Sequence, residues 1–277
     1  MCAASSRNRI INAIVQMAII NFNKTFFSMD CKVFVIVDFD NFFPRPIPEI
    51  PINKIEFLFK EIVRDIITNV HNVQNIIIRI YGGWYQDDTL TNRASQLLSI
   101  LKLISDGIFP VVIEQRKIEG SIDMVFSLFK VAHVWYNTYQ ERSGLPKLRI
   151  AHANVGDHCS MNKNSCPVHI LSRFTRAKSK LCHVDGCLTK QDDVFIQRTQ
   201  KMVDTMMACD VLSFCEEQNV GGVYIASDDI DLFPAIALGR NINNSMPLFL
   251  LVLNKKRFDY YSATLSDFNI KIRNCNE

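Results

Sequence analysis

Short apolar runs alternate along this chain with longer stretches in which apolar residues recur every three or four positions. Val33–Asp38 is a β-branched run closed by a carboxylate, and Asn75–Tyr81, Gly222–Ala226 and Leu248–Leu253 repeat its form. Each predicts a strand, with Val33–Asp38 and Val223–Ala226 reading as buried parallel strands. Pro110–Glu114 and Leu148–Ala153 read as further strands. Between them, Lys54–Asn69 places Ile55, Leu58, Phe59, Ile62, Ile66 and Ile67 at helical spacing, and Thr91–Ser105 does the same with Leu97, Leu98, Leu101 and Ile104. Thr199–Gln218 and Leu232–Leu238 predict two more helices, while Ile122–Tyr139 is ambiguous. Strands alternating with helices predict an α/β fold built on a mostly parallel sheet flanked by helices.

Residues 1–29 read as an N-terminal lead and residues 30–277 as the domain. Within the lead, Ile10, Ile11, Ile14, Val15, Ala18 and Ile19 share one helical face. That segment is too short and too polar to span a bilayer, which takes about 20 apolar residues. Asn21-Phe22-Asn23-Lys24 offers no small-x-small cleavage site, and the acid-free, Arg- and Ser-containing start is only faintly like a mitochondrial presequence. The expected setting is therefore cytoplasmic, with no membrane partner. The lead also changes the meaning of the net charge. Arg7, Arg9 and Lys24 are three of the 31 basic residues, so the remainder carries 28 basic against 28 acidic groups. Any nucleic-acid footprint must then be local. A hydrophobic share of 48% excludes a disordered chain. The sequence has no Gly-rich phosphate loop, no nucleophile elbow and no dinucleotide fingerprint.

Three aspartate-bearing segments carry the chemistry. They are Val33–Asp38 with Phe39-Asp40-Asn41, Lys201-Met202-Val203-Asp204, and Ser227-Asp228-Asp229-Ile230-Asp231. Two of them end apolar runs, and ligands of open α/β sheets bind outside the carboxyl ends of the strands. Carboxylates sharing such an edge repel one another, and Mg²⁺ or Mn²⁺, which take hard oxygen ligands, would relieve the repulsion. A cation held there acidifies water and neutralises a phosphate during in-line displacement. Asp204 has apolar neighbours one turn on, Met207, Ala208 and Val211, so it is expected to be paired or metal-bound rather than left in an apolar stripe.

The D-x-x-N of Asp38 and Asn41, the K-x-V-D of Lys201 to Asp204 with Asp210 following, and the S-x-D-x-D-L-x-P of Ser227 to Pro234 resemble, in that order, the NYN family of PIN-like nucleases. The resemblance covers segments around residues 33–42, 75–85 and 198–253. It implies a PIN-like fold and a metal-dependent nuclease, an endoribonuclease with RNA as substrate and single-stranded DNA as the lesser choice. It further implies that Asp38, Asp204, Asp229 and Asp231 hold Mg²⁺ or Mn²⁺ and that Asn41 orients substrate or a ligand. One position departs from the family: Asp228 stands where a glycine is usual, and it would either alter metal affinity or cap the next helix.

Two other classes fit part of the pattern. Asp38-Phe39-Asp40, with Lys201 and Asp228-Asp229 later, is like an aspartyl-nucleophile phosphatase, but Asn41-Phe42 follows where such enzymes continue with Gly-Thr or a near variant. A non-catalytic, zinc-stabilised RNA-binding module is the third reading. The segment 156–190 reads as a Cys/His-rich insertion containing His158, Cys159, Cys166, His169, Cys182, His183 and Cys187. With nine cysteines in an intracellular setting, structural zinc is preferred to disulfides. Cys166, His169, Cys182 and Cys187 are the expected ligands, with Cys159 or His183 as replacements. Trp84, after Tyr81-Gly82-Gly83, is a candidate for stacking on bases, and Arg173, Arg176 and Lys178 for contacting phosphates. Asp87 and Asp88 read as a turn and helix cap, and Met202, Met206, Cys209 and Cys215 as core.

Overall fold

The computed structural model describes residues 31–113, 115–144, 150–176, 181–182, 184–253, 261–267 and 270–274. The lead and Lys178 lie outside them. Among the described residues, no helix is long and apolar enough to cross a membrane. In chain order the elements are β1 (Cys31–Asp38), a one-turn α1 (Phe39–Phe42), α2 (Ile52–Asn69) and β2 (Val73–Tyr81). A small hairpin follows, β3 (Tyr85–Gln86) and β4 (Thr89–Leu90), then α3 (Asn92–Ile108), β5 (Val111–Ile113), β6 (Arg116–Met124) and β7 (Tyr139–Ser143). The last part comprises α4 (Asp157–Met161), α5 (Pro167–Arg176), α6 (Gln191–Val194), β8 (Ile196–Gln200), α7 (Val203–Glu216), β9 (Val220–Ala226), α8 (Phe233–Ile242), β10 (Leu248–Val252), α9 (Ser262–Asp267) and β11 (Lys271–Asn274).

The chain divides into two compact units. Among the described residues, the larger takes those of 31–82, 95–134 and 204–274, and the smaller those of 83–94 and 135–203. The larger unit holds a seven-stranded sheet in the order β11-β10-β9-β1-β2-β6-β5. All its pairings are parallel except β5 with β6. The α/β class expected from the sequence is therefore present, with strands and helices alternating around this sheet. Strand β1 lies at its centre, and Val33 to Val37 are at most 2% exposed, which is why the run carries no polar alternation. Phe34 of β1 stacks on Phe214 of α7 at 3.9 Å and meets Phe129 edge-on at 5.2 Å. Helix α2 buries Ile55, Leu58, Phe59, Ile62, Val63 and Ile66, each contributing about 1.5–3 kcal/mol over exposure.

The smaller unit is organised differently. Its strands β7 and β8 pair antiparallel, from Tyr139 opposite Gln200 to Ser143 opposite Ile196. The helix expected over Thr199–Gln218 therefore starts only at Val203, because residues 196–200 find a cross-strand partner some fifty residues earlier. Met202, at φ 64°, breaks the chain between the two elements and is 39% exposed, not core. Ile150 and Ala151 lie in no strand and a 3-10 turn follows at His152–Asn154, so the expected strand at Leu148–Ala153 is absent from its described part. The ambiguous stretch divides into the end of β6, an irregular run and the start of β7. Asp87, at φ 54°, sits in the β3–β4 turn, and the cap of α3 comes from Thr91, whose Oγ1 accepts the Ala94 N–H at 3.2 Å.

Candidate active site

The order of strands fixes where a site can form. From β1 the chain adds β2 on one side, while β9 lies on the other, so the direction of sheet growth reverses at β1, the kind of point at which open α/β sheets bind ligands outside the carboxyl ends of their strands. The register pairs Val37 with Ala226, which brings Asp38 beside Ser227, the first residue past β9. Asp38 is both the last residue of β1 and the N-cap of α1. Its Oδ1 accepts the Asn41 N–H at 3.2 Å, and its Oδ2 accepts the Ser227 hydroxyl at 3.3 Å. Ser227 Oγ in turn accepts the Asp229 N–H at 3.0 Å, and Asp229 Oδ1 accepts the Asp231 N–H at 2.9 Å. Three of the four expected carboxylates are thus strung along one line of hydrogen bonds.

Electrostatics ties in the fourth. Asp38 is 4% exposed, and its acid is pushed up to about 6. Burial is the main cause, the Asn41 N–H opposes it, and the nearby charges of Asp204 and Asp40 add to it. Asp204 is also raised, first by partial burial and then by Asp229 and Asp231. It lies in the first turn of α7, where the positive end of the helix favours a carboxylate. The expected reason for its placement needs correction. Asp204 is exposed, while Val203 before it and Met206, Met207 and Val211 after it are buried. It lies at the edge of the apolar stripe, where partial burial first and the charges of Asp229 and Asp231 second act on it.

Asp210 belongs elsewhere. It is fully buried, with Oδ2 accepting from Arg79 at 2.9 Å and from the Tyr81 hydroxyl, and Oδ1 accepting the Phe129 N–H at 2.8 Å. Arg79 also reaches the Ser127 carbonyl at 2.8 Å. This network ties α7 to β2 and to the segment after β6, and so sets the rotation of the helix that presents Asp204. The sequence held a signal for it: Arg79 interrupts an apolar strand and Asp210 an apolar helix, and two such charges demand each other. Asp228, 7% exposed, neither joins the acidic group by a hydrogen bond nor caps a helix. Its Oδ1 accepts the Leu253 N–H at 2.8 Å and fastens the end of β10 to the end of β9.

Asn41 serves Asp38 with both its main-chain and side-chain N–H groups. Trp84 is 1% exposed, which leaves no ring face for a base, and Thr138 Oγ1 accepts the main-chain N–H groups of both Trp84 and Tyr85 at 3.0 Å. The aromatic pair at the surface is instead Tyr85 with Tyr136, edge to face at 5.0 Å. Arg173 is exposed and engaged with Asn164 Oδ1 and the Lys163 carbonyl, while Arg176 bonds Ser172. Cys166, just before α5, and His169 on it are both buried, and Cys182 and Cys187 lie in the following hairpin. Among the described residues, no three Cys, His, Asp or Glu side chains group as ligands of one ion.

The chemistry of the donors at the acidic edge, oxygen alone, is of the type a hard divalent cation takes. They are carboxylate oxygens whose ionised forms are mutually destabilised, which is the condition such a cation relieves. A cleft at the opposite end of the strands, lined by Lys32, Asn72, Gln74, Arg116 and Lys117, has no part in this group. Compared with protein-family models, with curated proteins and with solved structures, the chain matches none.

Proposed function

We propose that this chain is a metal-dependent nuclease that hydrolyses phosphodiester bonds, with RNA as its substrate. The observation that carries the reading is the coupling of Asp38, Asp204, Asp229 and Asp231 at the point where strand order reverses. These four residues would hold Mg²⁺ or Mn²⁺, which when bound supplies an acidified water and neutralises charge on the phosphate. The chain's own contribution is preorganisation. Ser227 and Asn41 hold the Asp38 carboxylate in one orientation, and the Asp210 network holds the helix that carries Asp204. Asp38 must be ionised to ligate, so its raised acid makes capture of the cation, and with it cleavage at limiting metal, fall as pH drops through about 6. RNA is chosen over DNA because the motif order resembles the NYN family.

The test is cleavage of single-stranded RNA and DNA of one sequence by the purified full chain with Mg²⁺, Mn²⁺ or EDTA, beside Asp204→Asn. Internal cutting of RNA that requires Mn²⁺ or Mg²⁺ and disappears in the folded variant supports the proposal. Equal residual activity in both proteins sinks it. Hydrolysis of a chromogenic phosphomonoester, lost in Asp38→Asn, would assign a phosphatase instead.

A further inference from the structure

The smaller unit is poor in apolar core. Among its described residues, the buried hydrophobic side chains are Trp84, Ala94, Cys166 and Val203. Helix α5 turns the wrong way for a hydrophobic core. Cys166, just before it, and His169, Ser172 and Thr175 are at most 8% exposed, whereas Val168, Ile170 and Leu171 are 40–53% exposed. A unit of this size with a polar inner face needs a cross-link to hold its chain together.

Its cysteines are arranged for one. The thiols of Cys159 and Cys166 are hydrogen-bonded to each other, and those of Cys182 and Cys187 likewise. The second pair lies in a hairpin closed by the Leu181–Lys190 bridge, with Cys182 N–H donating to the Thr189 carbonyl at 2.8 Å and Cys187 N–H to the Val184 carbonyl at 3.0 Å. Main-chain N–H groups also aim at sulfur. Those of His169 and Val168 donate to Cys166, and that of Thr189 to Cys187. Donors placed on sulfur stabilise a thiolate held by a metal, whereas the sulfurs of a disulfide carry no charge for them to meet.

We propose that the smaller unit contains a structural zinc site formed by the thiolates of Cys159, Cys166, Cys182 and Cys187. This set takes Cys159, whose thiol meets that of Cys166, in place of the expected His169. Each pair is half of a tetrahedral set, and zinc draws the two halves together. Binding releases the thiol protons to solvent and moves no electrons. The site is independent of the acidic edge and of the activity assigned there.

The experiment uses the full chain purified without chelator, with metal analysis and alkylation followed by mass spectrometry. One zinc per chain is expected, with these four cysteines resisting alkylation until a chelator is added. Cobalt substitution needs no variant and reads the ligands directly, as a tetrahedral spectrum with strong thiolate charge-transfer bands. Cys159→Ser should lose the zinc, while His169→Gln should keep it. The proposal is overturned by a metal-free chain with four freely reactive thiols, by a mass showing two disulfides, by iron in place of zinc, or by zinc loss in His169→Gln with retention in Cys159→Ser.

Discussion

Replacing Asp38 with asparagine should stabilise the metal-free protein at neutral pH and do so in a pH-dependent way. The acid rises from an ordinary 3.8 to about 6 on folding, chiefly through burial. Between those values the folded state binds more proton than the unfolded chain, so stability falls as pH rises through that window, and the deficit is complete above about pH 6. Each factor of ten in proton affinity is about 1.4 kcal/mol, so the native state is weakened by about 3 kcal/mol at pH 7. Asp38→Asn removes that deficit. It keeps an oxygen for the Asn41 N–H, and its amide meets Ser227 Oγ, a hydroxyl that accepts as well as donates. Loss of the charged acceptor costs about 1 kcal/mol. The expected net effect is a gain of about 2 kcal/mol at pH 7 that shrinks on acidification and becomes a loss of about 1 kcal/mol near pH 4. Denaturant unfolding of both proteins in EDTA across this range measures the difference. A variant weakened equally at every pH would refute the reasoning and make Asp38 a helix cap with no charge strain.

Three further outcomes follow from the same geometry. Asp210→Ala strips Arg79 and Tyr81 of their buried partner and should lower stability by about 3–5 kcal/mol in denaturant unfolding, whereas a surface carboxylate would cost little. Trp84→Ala should cost about 3–5 kcal/mol of stability and leave RNA affinity in the folded protein unchanged, as judged by anisotropy with a labelled oligonucleotide under non-cleaving conditions. At a metal concentration far below saturation, where the metal-free acid governs capture of the cation, cleavage should fall about tenfold per pH step below about 6, and a flat profile down to pH 5 under those conditions would exclude Asp38 as an ionised ligand.

The parts of the fold legible in the sequence are those whose burial is total. Val33 to Val37, Val223 to Ala226 and Leu248 to Val252 lie inside a parallel sheet, and a strand with no wet face leaves an uninterrupted apolar run. Strand β8 was illegible because Gln197, Thr199 and Gln200 are half-exposed and owe their conformation to β7, not to local pattern. At the acidic edge, residue positions were legible because strand ends are. The surroundings were not: Asp204 looked buried from its neighbours and is exposed, and Trp84 looked available and is packed away. Asp210 and Asp228 show the converse, since their roles are set by Arg79 and Leu253, partners 131 and 25 residues distant.

The bond from Ser227 to Asp38 joins residues 189 positions apart. Closing an unstructured loop of that length costs about 4–5 kcal/mol before any contact repays it, and pairings of such range fold slowly. Strand β1 is made long before β9 and spends that interval without it at its side. Until residue 231 has been added, no growing chain possesses the full set of four carboxylates. Any hydrolytic power lodged there is therefore withheld from every product that stops short of residue 231 and arrives only as β9 takes its place beside β1.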